Sequence, residues 1–130
     1  MKTYVTTALL ALLVMGSTAV RADHTVPDGL VARLHEDTHQ LEYDVRNSSL
    51  RYSVKQAVYR LSADVSAFYL CVTRGGTWDH TIPEQCERRF ERVRSSWYPV
   101  DRYLYDTNFD YPYIYRDYQQ VSSDLERFPF

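Results

Sequence analysis

From Leu30 to Phe128 the apolar residues recur at alternating steps of three and four, not at the step of two that a half-buried strand needs. Leu30, Val31, Leu34, Thr38, Leu41 and Val45 lie on one face of a helix, with Arg33, Glu36, Asp37, Glu42 and Asp44 assigned to the opposite side. Leu50, Val54, Ala57, Leu61, Val65, Phe68 and Val72 form a second stripe, widened by Val58 and Tyr69. Cys86, Phe90, Val93, Trp97, Val100 and Leu104 form a third, and its phase runs unchanged across Pro99. Ile114, Tyr118, Val121, Leu125 and Phe128 form the fourth.

Turn chemistry between the stripes predicts helices over about 27–46, 49–73, 82–106 and 111–128. Pro27 is tolerated in a first helical turn because its missing N–H would have been unpaired there. Ser48 or Ser49 can cap the second helix, and Gly75-Gly76 ends it. Thr81-Ile82-Pro83-Glu84 reads as a capping box with proline at the first helical position, and Asp110 as the last cap. Pro99 removes one backbone hydrogen bond, so the third helix is expected to be kinked but continuous. Short connections force consecutive helices to lie antiparallel. The expected fold is therefore all-α, an up-down-up-down four-helix bundle in a single domain over 23–130, with no strand.

The first 22 residues fall outside that pattern. Lys2, the apolar run Ala8–Met15 and the small-residue signature Val20-Arg21-Ala22 have the layout of a secretory signal peptide cleaved after Ala22. The run is too short to span a membrane and no second one follows, so no transmembrane segment is expected after cleavage. Export, to a secreted or periplasmic location, lets Cys71 and Cys86 pair as a structural disulfide across the turn between the second and third helices. The whole chain carries a net charge of −2, and loss of Lys2 and Arg21 makes it −4. That mild acidity argues against nucleic acid as a partner.

Candidate chemistry is sparse. His35-Glu36-Asp37-Thr38-His39 matches H-E-x-x-H, in which two imidazoles four apart share a helix face and can hold one zinc while the glutamate activates water. Over these five residues the chain resembles the zincin metalloproteases. The resemblance implies His35 and His39 as zinc ligands and Glu36 as general base. No third-ligand signature follows, and His24 and His80 are the other histidines available. The first reading is accordingly non-enzymatic, with no cofactor; a metal-binding protein or zinc hydrolase is the alternative.

Tyrosine is the second feature. Seven of the chain's twelve tyrosines fall between Tyr98 and Tyr118, and only Tyr118 lies on a stripe. Tyr103, Tyr111 and Tyr115 are the candidate interface, since tyrosine gives contact area at low entropy cost. The implied partner is another exported or cell-surface protein. Trp78 is a further exposed-aromatic candidate, and Asn47-Ser48-Ser49 matches the N-glycosylation acceptor pattern.

Overall fold

A local conflict at its start sets where the first helix begins. In the computed structural model, which describes residues 23–74, 81–107 and 110–130, helix α1 spans Leu30–Arg46. Gly29 precedes it with φ of 75°, a left-handed conformation that no helix residue can hold. The helix thus begins three residues later than proline placement suggests, and Leu30 N–H closes a turn onto the Pro27 carbonyl at 3.1 Å. The buried residues of α1 are Leu30, Val31, Leu34, Thr38, Leu41 and Val45, the same six positions that the apolar spacing marks. Thr38 satisfies its buried hydroxyl on the Leu34 carbonyl at 2.7 Å.

Helix α2 spans Tyr52–Arg74. Neither serine of the preceding turn caps it. Ser48 Oγ donates back to the Val45 carbonyl at 2.6 Å and accepts from Leu50 N–H at 3.2 Å, so it closes α1 instead. Ser49 Oγ instead sits 2.5 Å from the Tyr111 hydroxyl, a cross-link to the far end of the chain. In the first turn of α2 the N–H groups of Val54 and Lys55 go to the Arg51 carbonyl, at 3.0 and 3.2 Å. Its buried face is Val54, Ala57, Val58, Leu61, Val65, Phe68 and Val72, plus Ser62.

The segment before the third helix departs most from expectation. Thr81–Pro83 is a short strand, β2, not a capping box, and it pairs antiparallel with β1, Asp23–Thr25, although no strand was expected. The register sets Asp23 against Pro83 and Thr25 against Thr81, which puts the proline, lacking an N–H, at the end of the ladder. Ile82 is fully buried. A 3₁₀ turn, Glu84–Cys86, then leads into α3, Glu87–Leu104, which passes through Pro99 unbroken. Cys71 and Cys86 form a disulfide with Cα atoms 5.8 Å apart. It closes a loop of sequence separation 15, worth on the order of 3 kcal/mol through restriction of the unfolded chain.

Helix α4 spans Pro112–Glu126, with Pro112 in its first turn. Its cap residue is Tyr111, not Asp110. Among the described residues there are thus four α-helices and one two-stranded sheet. α2 packs against α1 on one side and α3 on the other, and α4 packs mainly against α1. Phe68, Phe90 and Phe128 form an aromatic knot at the disulfide end, with centroids 4.6 to 5.9 Å apart. No described helix is long and apolar enough to cross a membrane. The proposed leader, the Gly75-Gly76 stop, Trp78 and His80 lie outside the described residues.

Candidate functional site

Among the described residues, the seam between α1 and α4 carries two buried aspartates. Asp117 and Asp124, seven apart on α4, sit among its apolar stripe and are only 3% and 4% exposed. Seven residues are two helical turns, so both carboxyls face α1. They meet Asp44 and Asp37, which are also seven apart and only partly exposed; sequence spacing had put that pair on the outer side. Among the described residues no N–H or hydroxyl donor reaches Oδ2 of Asp117 or Asp124. A proton held within each pair satisfies such an oxygen, as carboxyl donating to carboxylate.

That environment sets the protonation. Burial, then the hydrogen bond and charge of Asp44, pushes Asp117 up to about 7; Asp37 adds to this and Arg116 opposes it. Burial and Asp37 push Asp124 up to about 8 against the pull of Arg33 and Arg127. Asp37 and Asp124 also border an open groove of about 440 Å³ between the two helices, edged by Arg33, Arg116 and Arg127. Spacing could have found these residues, because 117 and 124 lie in phase with Ile114 and Val121. Their polar identity kept them off the stripe.

The histidine motif occupies the other flank of α1, against α2. His35 and His39 come together as their spacing requires, with Nε2 atoms 3.2 Å apart and rings nearly perpendicular. Tyr69 of α2 stacks flat on His35 at 4.3 Å between centroids, and Ser66 Oγ lies 3.4 Å from its Nε2. Burial, and then the neighbouring His39, lower the pKa of His35 below 6.5, with Glu36 opposing. His39 Nδ1 lies 3.7 Å from Glu42 Oε2, and that oxygen accepts a hydrogen bond from Ser62 Oγ at 2.7 Å. Glu36 stands exposed on the next position round the helix. Among the described residues no group of three or more His, Cys, Asp or Glu side chains could hold a metal ion.

The candidate tyrosines are dispersed. Tyr103 is exposed and borders a groove of about 630 Å³ between α2 and α3. Tyr111 and Tyr115 are half-buried against the core. Tyr111 is tied to Ser49, and Tyr115 tilts onto Tyr118 at 5.6 Å. Tyr118 stacks on Trp97 at 5.5 Å and donates its hydroxyl to Asp101. Burial and that bond hold its pKa well above the usual tyrosine value.

No protein-family model, curated protein or solved structure matches this chain.

Proposed function

We propose that this chain is an exported, non-enzymatic interaction protein, an antiparallel up-down-up-down four-helix bundle that meets another exported or cell-surface protein through tyrosine-bearing helix faces. The observation that carries this reading is where the tyrosines stand. Tyr43, Tyr52, Tyr59, Tyr98, Tyr103, Tyr105 and Tyr113 are exposed, while aliphatic residues and phenylalanine fill most of the core. Ring surface left in water does nothing for folding, whereas on association it is buried at the cost of two side-chain torsions. Tyr98 is braced for such a role, since Arg102 donates to its hydroxyl at 3.1 Å and lies over its ring. The Cys71–Cys86 disulfide fits an oxidising compartment, as export of a chain cleaved after Ala22 would provide.

The test is affinity capture from the exported fraction of the source cells, with the untagged chain coupled as bait. A partner held by the wild type and lost with Tyr98→Ser/Tyr105→Ser/Tyr113→Ser or with Tyr52→Ser/Tyr59→Ser supports the proposal. No capture, or capture indifferent to both sets, rejects it. N-terminal sequencing of the native protein should begin at Asp23.

A further inference from the structure

The histidine pair has the geometry of half a coordination shell. Two nitrogens bound to one tetrahedral ion at 2.0–2.1 Å stand about 3.3 Å from each other. The Nε2 atoms of His35 and His39 are 3.2 Å apart, so one ion can meet both lone pairs with little ring movement. We infer that His35 and His39 form a bidentate clamp for a single late first-row divalent cation, open to solvent at its remaining positions.

Three features of the surroundings fit such a clamp better than they fit two unrelated surface imidazoles. First, the rings are already positioned. Tyr69 stacks on His35 with an interplanar angle of 1°, so that ring has little freedom left to lose on binding, and His39 stands one turn along the same helix with its ring edge-on to it. Second, the outer nitrogen of His39 stands beside a carboxylate. Binding through Nε2 leaves the proton on Nδ1, and Nδ1 lies 3.7 Å from Glu42 Oε2, itself held by Ser62. At that separation Glu42 acts as a charge partner, and its negative charge beside the ring favours a bound cation. Third, the site is reachable, since the His39 side chain is 53% exposed.

Among the described residues no third ligand joins the pair, so the site differs from the closed shell of structural zinc, and Glu36 stands exposed on the neighbouring position of the helix. Water completes the coordination, beside Ser66 Oγ. Imidazole ligands select zinc, nickel and copper over magnesium or calcium, and copper(II) binds most tightly of the series. The competing state is an empty pair in which one Nε2–H donates to the other Nε2.

The experiment is calorimetric titration of the untagged, chelator-treated protein with copper(II) and with zinc, repeated on His35→Gln, His39→Gln and His24→Gln/His80→Gln. The expected result is one equivalent bound, copper tighter than zinc, at least tenfold weaker in each of the first two variants and unchanged in the third. His39 is exposed, so His39→Gln remains informative even if His35→Gln disturbs the packing against Tyr69. Absence of saturable binding, indifference to His39→Gln, or loss in His24→Gln/His80→Gln overturns the assignment. Calorimetry on the isolated chain is independent of whether any protein partner exists.

Discussion

Replacing Asp117 and Asp124 with asparagine removes two ionisations from the α1–α4 seam while keeping side-chain shape and a donor for Asp44 and Asp37. Both aspartates have folded-state pKa values above the unfolded value of 3.8, at about 7 and about 8. The native state therefore holds protons that the unfolded chain releases. This stability contribution is fully present below about pH 4 and is lost as pH rises through the folded-state values. Carboxyls held at about 7 and about 8 instead of 3.8 correspond to several kcal/mol in all if the seam stays closed and dry. Whole domains of this size have only about 5–15 kcal/mol of stability, so water entry and loosening of α4 should relieve part of the strain. A net loss of about 2–4 kcal/mol between pH 5 and pH 9 is the expected remainder in the wild type.

The assay is urea denaturation followed by far-UV circular dichroism at pH 5 to 9 on the wild type and on Asp117→Asn/Asp124→Asn. His35, with its lowered pKa, contributes stability of the opposite pH sign, but it does so in both proteins and cancels in the difference. The variant should overtake the wild type as pH rises, and should be the more stable protein at pH 9. A wild-type-minus-variant difference that stays constant within about 0.5 kcal/mol, or that grows in the wild type's favour, would refute the account of paired carboxyls.

Other perturbations test the scaffold. Reducing Cys71–Cys86, or replacing both cysteines with alanine, should lower stability by about 3 kcal/mol, read as a shift of the urea midpoint. Phe90→Ala empties the centre of the knot with Phe68, Phe128 and Phe130 and should cost about 3–5 kcal/mol in the same assay. Gly29→Ala meets no steric neighbour but must hold a φ of +75°, so it should cost about 1–2 kcal/mol with core packing unchanged, as near-UV dichroism would report.

Nearly all of the burial pattern is legible in residue spacing. The six positions that spacing assigns to the first stripe are the six that α1 buries, because a 3.6-residue repeat puts such positions on one side of any helix. The third stripe runs through Pro99 for the same reason, although Trp97 ends half-buried on Tyr118. The His35–His39 encounter is also local, since residues four apart must meet on a helix. The disulfide follows from there being two cysteines in a chain with an export signature.

Tertiary structure decided the rest wherever a local signal had two solutions. Thr81-Ile82-Pro83-Glu84 is compatible with a capping box or a strand, and the nearness of Asp23–Thr25, distant in sequence, selects the strand. Ser48 could serve either neighbouring helix, and the chain path commits it to α1. The aspartates differ most from expectation. Hydropathy assigns every carboxylate to water, but Asp117 and Asp124 lie within the apolar phase of α4, and the helix cannot bury Ile114, Tyr118 and Val121 without them. That they face Asp44 and Asp37 rather than solvent depends on the rotation and height of α4 against α1, which no repeat within either helix encodes.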